Sequence, residues 1–189
     1  MVYNRRITPR MNYQDIIDKY YPAGSPLRDI YMRHCRSVAD LALEIAAGKH
    51  LDLDPKEIEE AAMLHDIGVF LTDAPGIECH GDEPYILHGV LGADLLRKEG
   101  MPERDASVAE RHTGAGITPE DIRDQHLPLP ADRDYMPATQ LERLVCYADK
   151  FYSKSGDMKR KPMEKVERSM ARISEATLAR FIELRKEFE

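Results

Sequence analysis

The chain has 189 residues, of which 42% are apolar, and both values favour a single globular domain. Its 27 basic and 34 acidic residues give a net charge of −7, which argues against general nucleic-acid binding. No apolar run approaches the roughly 18 residues of a membrane span. No apolar stretch follows the two arginines near the N-terminus, so we expect no signal peptide. The three cysteines are too few and too scattered for a disulfide framework, and we expect a reducing, cytoplasmic location.

Apolar residues recur at helical spacing along most of the chain, and no stretch alternates with the period of a strand. N-capping residues, prolines and glycines mark where the helices begin and end. The pattern predicts helices over about 12–20, 27–49, 54–68, 84–99, 102–112 and 139–152, a short one from 118, and one long charged helix over 162–189. The predicted fold class is therefore all-α, a bundle of seven or eight helices.

A segment of about fifteen residues, 69–83, contains prolines and glycines and is predicted to be a loop. Loops of this length in compact domains are often functional lids. His80 lies in this loop beside acidic residues. We expect it either to act as a general acid at the site or to be a solvated surface histidine.

Five predicted helices each place an ionisable side chain on their apolar stripe, where it faces the core. A single buried histidine or aspartate is usually a hydrogen-bonded core residue. Here few inward-facing basic residues are available to pair with the whole set, and unpaired buried carboxylates are costly. A metal site would compensate the imidazoles and carboxylates together. The residues concerned are His34, His65, Asp66, His88, His112 and Asp149.

This mixture of imidazole and carboxylate ligands is typical of Fe, Mn, Zn or Co sites rather than of Mg or Ca sites. His34, the His65–Asp66 pair and Asp149 supply four ligands for one cation. The remaining two histidines supply a second cation, and Asp66 is able to bridge the two. A pair of such ions is a common device for phosphoryl chemistry.

The segment from Met63 to Gly68 resembles the HDIG signature of the HD-domain metal-dependent phosphohydrolase superfamily. The ordered series of six residues resembles the six-ligand, two-metal subset of that superfamily, over about residues 27–155. The resemblance implies an HD-domain helical bundle. It also implies a first metal on His34, His65, Asp66 and Asp149, and a second on His88, His112 and the shared Asp66.

The resemblance further implies two divalent transition metal ions, with Fe or Mn favoured over Zn, Co or Ni. The implied activity is cleavage of a phosphate ester or anhydride of a small molecule, most simply a nucleotide, by attack of a metal-bound hydroxide. The expected domain organisation is an arm with a short helix over 1–26, the HD domain over 27–155, and a C-terminal helix over 156–189 packed on it. A second copy of the chain, in a homodimer, is a further expected partner; a membrane is not.

One position departs from the family pattern. Many HD phosphohydrolases carry Lys or Arg directly after the HDIG glycine, where this chain has Val69. Arg33, Arg111 and Lys150 adjoin predicted ligands and are candidates for the missing cation, with Arg111 and Lys150 taken as catalytic residues together with Asp66 and His80. The basic stretch 150–172 either attracts anionic substrates or is a solvated helix face.

Two other functions remain open from the sequence. One is an HD-type di-iron oxygenase that uses a similar ligand set. The other is a regulatory module that binds metal and nucleotide without turnover.

Overall fold

The computed structural model describes residues 12–189, which contain nine α-helices and a small three-stranded sheet. The helices are α1 Tyr13–Tyr20, α2 Pro26–Gly48, α3 Pro55–Leu64, α4 His88–Lys98, α5 Glu103–Arg111, α6 Pro119–Asp124, α7 Gln140–Asp149, α8 Met163–Ile173 and α9 Glu175–Phe188. The all-α prediction is confirmed, with one helix more than the expected seven or eight among these residues. None of the helices described is both long and apolar enough to cross a lipid bilayer.

N-capping side chains fix where several helices begin. Asp54 accepts a hydrogen bond from the backbone N–H of Lys56 at the start of α3. Thr118 and Thr139 do the same at the start of α6 and α7. These caps satisfy N–H groups that have no partner within the helix, so the predicted starting points of the three helices are confirmed.

The C-terminal segment was predicted to be one long helix, and this prediction is wrong because the helix is interrupted at Ser174. That residue is fully extended, with φ −169° and ψ 162°, and its hydroxyl accepts the backbone N–H of Thr177 to cap α9. The break allows α8 and α9 to pack against each other. Val166 of α8 and Phe181 of α9 are both fully buried as a result.

The core is centred on α2, which packs against α3 and α7. Alanines on these three helices, such as Ala39, Ala61 and Ala148, are fully buried and leave room for the helix axes to approach closely. On the other side of α7, the Tyr147 ring stacks on Phe181 of α9 at a centroid distance of 5.6 Å. The C-terminal helices thereby cover one face of α7.

The segment between α3 and α4 contains three short strands instead of an unstructured loop. They are β1 Thr72–Ala74, β2 Cys79–His80 and β3 Glu83–Pro84. The central strand β1 pairs antiparallel with β2 and parallel with β3. A 3₁₀ turn over Tyr85–Leu87 then leads into α4, which begins at His88 and not at the predicted Pro84.

Candidate metal centre

The structure brings the six predicted ligand residues together in one buried cluster. Each lies at or near a helix end or on a core-facing helical surface, and each is at most 8% exposed. Their ligand atoms form three overlapping groups of three, and within each group all the atoms lie within 4.8 Å of one another. The contributing residues are His34 of α2, His65 and Asp66 after α3, His88 at the start of α4, His112 after α5 and Asp149 at the end of α7.

Asp66 lies at the centre of this cluster and faces two sets of histidines. Its Oδ2 atom is 3.1 Å from the Nε2 atom of His34 and 3.3 Å from that of His65. Its Oδ1 atom is 3.4 Å from the Nε2 atom of His88 and 3.3 Å from that of His112. A carboxylate with one oxygen toward each histidine pair has the arrangement of a bridging ligand.

Asp149 completes the first of these sets, and the second consists of two histidines. The Oδ1 atom of Asp149 lies 3.0 Å from the Nε2 atom of His34 and 3.5 Å from that of His65. In the second set, the Nε2 atoms of His88 and His112 are 3.0 Å apart. Ligand atoms that converge so closely in a buried site fit cations better than they fit hydrogen bonds among themselves.

Backbone carbonyl groups orient three of the four imidazoles. The Nδ1 atom of His65 lies 2.6 Å from the carbonyl oxygen of Ala62. The Nδ1 atom of His88 lies 2.7 Å from the carbonyl oxygen of Tyr85, and that of His112 lies 2.8 Å from the carbonyl oxygen of Ala109. Because Nδ1–H donates to the carbonyl, Nε2 is the atom directed into the cluster, and in the neutral ring it carries the lone pair that binds a metal.

Two buried tyrosines fix the segment that carries the HD pair. The Tyr31 hydroxyl donates to the carbonyl oxygen of Met63 at 2.5 Å, and the Tyr21 hydroxyl donates to that of Ile67 at 2.9 Å. The Met63 carbonyl lies in the last turn of α3, where carbonyls lack partners within the helix, and the Ile67 carbonyl lies in the turn that follows. His65 and Asp66, which lie between the two carbonyls, are held in position.

The glycine of the HDIG motif allows α4 to approach the HD pair. A Cβ atom on Gly68 would lie 2.3 Å from the carbonyl oxygen of His88 and 2.5 Å from the backbone nitrogen of Gly92. A Cβ atom on Gly89, on the same helix, would lie 2.6 Å from the carbonyl oxygen of Ala109. These glycines are therefore required by close packing of the backbones that carry His88 and His112.

The pKa shifts of Asp66, Asp149 and His88 suit metal ligands, whereas that of His65 is opposite, since burial lowers its pKa but the Asp66 carboxylate raises it well above the usual value. Burial opposes ionisation of Asp66, but the ammonium group of Lys154 and the neighbouring His65 lower its pKa well below the usual value. Burial likewise opposes ionisation of Asp149, and Lys150 lowers its pKa well below the usual value. Burial, reinforced by His112, lowers the pKa of His88 to about 3. Ionised carboxylates and a neutral imidazole are the forms that bind cations.

A cavity of about 490 Å³ has Asp149 and three lysines among its lining residues. Lys150, Lys154 and Lys161 supply the positive charge, while Ile77 and Ile173 contribute apolar surface. Further lining comes from β1, Tyr85, the turn after α7 and α8. The lining of the cavity therefore combines cationic and apolar groups.

Lys154 is the residue of this site that the sequence did not single out. Its ammonium nitrogen lies 2.6 Å from the Oδ2 atom of Asp66, and its side chain is only 14% exposed. It also lies 5.8 Å from the centre of the Tyr85 ring. Burial lowers the pKa of Lys154, but the Asp66 carboxylate raises it well above the usual value, so the group is charged.

Of the other residues predicted to be catalytic, Lys150 is at the site and two are not. The Lys150 ammonium lies 2.6 Å from the Oδ2 atom of Asp149 and donates to the carbonyl oxygen of His112 at 2.9 Å. Arg111 pairs instead with Glu142 at 3.0 Å and does not line the cavity. His80 lies on strand β2 with its side chain 68% exposed and does not line the cavity.

The other candidate for the missing cation, Arg33, is exposed on α2. Val69 itself is buried among apolar residues. No positive charge therefore reaches the cluster from either position, and the lysines after α7 are the cations beside it.

The chain belongs to the HD-domain family, whose model matches residues 31–153. This range contains all six residues of the cluster and ends one residue before Lys154. The recognition made from the HDIG segment is thus confirmed for the family.

Three curated relatives share between a third and two fifths of their aligned residues with the chain. An uncharacterized protein of Methanocaldococcus jannaschii is 39% identical over 121 residues, which are 62% of this chain and 63% of that protein. A tRNA (cytidine(56)-2'-O)-methyltransferase of Thermoplasma volcanium is 35% identical over 173 residues, 92% of this chain and 45% of that protein. A protein of the same name from Picrophilus torridus is 34% identical over 125 residues, 66% of this chain and 32% of that protein. The chain spans less than two thirds of the length of each.

Two solved structures share the fold. The HD domain of the L. monocytogenes phosphodiesterase PgpH superposes with a TM-score of 0.52 at 15% identity, covering 91% of this chain and 94% of that one. The same domain in complex with cyclic-di-AMP gives a TM-score of 0.53 at 16% identity, covering 94% and 95%. At this level of identity the similarity establishes the helical fold.

Proposed function

We propose that this protein is a metal-dependent phosphohydrolase that acts on a small phosphorylated molecule, with a nucleotide as the favoured substrate. The observation that carries the proposal is the position of Asp66 between two histidine pairs, beside a lysine-lined cavity. In this proposal His34, His65, Asp66 and Asp149 bind one divalent transition metal ion. His88 and His112, with the second oxygen of Asp66, bind another.

Such ions, with Fe or Mn favoured over Zn, Co and Ni, supply Lewis acidity and an activated water when bound. The protein's own groups do the rest of the work. Lys150 keeps the Asp149 carboxylate ionised, and the lysines that line the cavity attract and orient the phosphate. The apolar groups of the lining, Ile77 and Ile173, contact the remainder of the substrate.

The size and composition of the cavity support a small organic phosphate as substrate. Its volume of about 490 Å³ lies within the usual range for small-molecule sites. The structural neighbour described with cyclic-di-AMP supports the choice of a nucleotide.

The names of two relatives raise methyl transfer to tRNA as another activity. The shared segment accounts for only 45% and 32% of those proteins. We propose that this segment contributes the metal centre and not the methyl transfer, because its buried imidazoles and carboxylates are suited to bind metal ions. The net charge of −7 also disfavours binding of a polyanion such as tRNA.

The test combines metal analysis with a screen for phosphate release. Protein purified without chelator is analysed for bound metal, reloaded with Mn²⁺ under nitrogen, and assayed on nucleoside phosphates and cyclic dinucleotides. We expect hydrolysis of at least one class. The matched variants are His34→Asn, which removes a ligand, and His50→Asn, at an exposed position where φ is +52° and asparagine is well tolerated.

Each alternative gives a different result in this screen. Less than about 0.2 metal ions per chain after reloading would contradict the metal centre. Consumption of O₂ with substrate, and no activity with Mn²⁺ under nitrogen, would indicate the di-iron oxygenase. Tight nucleotide binding without any turnover would indicate the regulatory module. Methyl incorporation into tRNA from S-adenosylmethionine would indicate that the shared segment carries that activity.

A further inference from the structure

Lys154 occupies an unusual position, because it is a cation placed beside residues suited to bind a cation. Its ammonium group lies 2.6 Å from the Oδ2 atom of Asp66. The same oxygen faces the Nε2 atoms of His34 and His65 at 3.1 and 3.3 Å. An ammonium and a divalent ion on one carboxylate oxygen would repel each other strongly at this depth. Binding of a divalent ion at this oxygen would therefore weaken the contact between Lys154 and Asp66.

The two carboxylates of the cluster are each neutralised by one lysine. Asp66 pairs with Lys154, and Asp149 pairs with Lys150, both at 2.6 Å. Addition of divalent ions to this balanced set leaves a large excess of positive charge beside the cavity. Lys161, which lines the same cavity and donates to the carbonyl oxygen of Lys150 at 3.0 Å, adds to that excess.

The Lys154 side chain is able to serve a ligand in the cavity as well as Asp66. It lines the cavity and lies near the ring of Tyr85 at the same wall. A lysine has a flexible four-carbon stem and three donors, so a small rotation redirects its ammonium group. No cation stands at Val69, directly after the HDIG glycine, and Lys154 is the lysine that contacts the central carboxylate Asp66.

We propose that Lys154 exchanges partners, pairing with Asp66 in the metal-free protein and with the terminal phosphate of the substrate once divalent ions occupy Asp66. This inference rests on the proposed function and narrows its substrate class. A dianionic phosphate monoester compensates the excess positive charge better than a monoanionic diester does. The substrate is therefore a phosphate monoester attached to a body with apolar surface.

The exchange couples the binding of metal and phosphate. Without metal, a phosphate must compete with Asp66 for Lys154. When metal is bound, the Lys154 ammonium is released from Asp66 and pairs with the phosphate. Because coupling free energies are reciprocal, each ligand strengthens the binding of the other by the same factor.

The experiment measures binding by calorimetry on the full chain, with Mn²⁺, methyl phosphate and dimethyl phosphate as probes. For the unmodified protein we expect Mn²⁺ to tighten methyl phosphate binding at least about tenfold, within the usual range of coupling between sites. Methyl phosphate should bind at least about tenfold more tightly than dimethyl phosphate when Mn²⁺ is present. Equal affinities for the two esters would overturn the monoester assignment.

The decisive variant is Lys154→Met, which keeps the length of the side chain and removes the charge. It should bind Mn²⁺ at least as tightly as the unmodified protein and lose about tenfold or more in affinity for methyl phosphate. Lys159→Met is the matched control, since Lys159 is 82% exposed in the same segment and should leave both affinities unchanged. Weaker Mn²⁺ binding, or unchanged phosphate binding, in Lys154→Met would overturn the exchange.

Two measurements keep the proposal testable if Lys154→Met does not fold. Lys161→Met, which leaves the contact with Asp66 intact, should weaken methyl phosphate binding without changing Mn²⁺ affinity. The dependence of phosphate affinity on Mn²⁺ in the unmodified protein is the second measurement, and its absence would overturn the coupling. Failure of the proposed function can be told apart from failure of the Lys154 exchange. It would appear as absent Mn²⁺ binding or absent hydrolysis in the unmodified protein.

Discussion

Replacement of Asp66 by asparagine tests the bridging position most directly. The side chain keeps its size, but one carboxylate oxygen becomes an amide NH₂ group, which cannot bind a cation. Whichever oxygen is replaced, one histidine pair loses its carboxylate at 3.1–3.4 Å, and the charge between the two pairs is lost. We therefore expect the second metal to be lost first. Turnover should fall at least about a thousandfold, which corresponds to about 4 kcal/mol of transition-state stabilisation.

The assay combines elemental analysis of reloaded protein, phosphate release and thermal unfolding followed by circular dichroism. Helical content should remain, while the gain in melting temperature on adding metal should shrink, because binding stabilises the fold by mass action. Asp52→Asn is the matched control at an exposed position outside the cavity, and it should be neutral. If Asp66→Asn retained two metals per chain and most of its activity, the bridging assignment and the two-metal site would both be refuted.

Three further predictions concern packing, the lid segment and the thiols. Gly68→Ala should lower the free energy of unfolding by about 1–3 kcal/mol or more in urea titrations, because the added methyl group meets the His88 carbonyl oxygen at 2.3 Å. His80→Ala should change that free energy by less than about 0.5 kcal/mol and leave turnover unchanged, since the side chain is exposed outside the cavity. Burial raises the pKa of Cys146 to about 11, so only about one thiol in a thousand is ionised at pH 8, and alkylation of the native protein should be slow and accelerate as the pH rises.

The controls for these measurements are also set by the structure. A Cβ atom on Gly48 meets nothing within 4 Å, so Gly48→Ala should not destabilise the protein, and equal losses at both glycines would contradict the packing argument. Loss of turnover in His80→Ala with an unchanged melting temperature would support the lid role. Equal alkylation rates for native and urea-unfolded protein would show that Cys146 is accessible.

The sequence predicted the ligand cluster well because burial of polar residues is readable from helical periodicity. His34 and Asp149 lie on apolar stripes of helices that pack together, so their convergence followed from the pattern. Lys154 follows α7 in an irregular turn, where no periodicity indicates which way a side chain points. The basic composition of 150–172 was the only sequence signal for it.

The helix ends were less predictable than the helices themselves. Ser174 interrupts a segment of uniformly high helical tendency, and its cap uses Thr177 where the usual capping box has Glu or Gln. The three short strands around Thr72 have only two or three residues each. This is too few residues for the alternation of apolar and polar side chains that indicates a strand. Their pairing depends on contacts between segments that the linear pattern does not contain.

The carbonyl contacts of the three histidines have a consequence for how this centre tolerates change in its surroundings. Ala62 and Ala109 act through their main-chain oxygens alone, whereas Tyr85 also stacks its ring on the His88 imidazole at a centroid distance of 4.7 Å. Ligand geometry is thus coupled to the integrity of the helix termini, and fraying of a terminal turn would misalign a ligand without any change in the ligand itself. His34 differs, because its buried Nδ1 atom has no hydrogen-bond partner. Substitutions of Ala62 or Ala109 should leave metal affinity intact as long as the local backbone stays folded, whereas those around His34, or of Tyr85 beside His88, act on the ring directly.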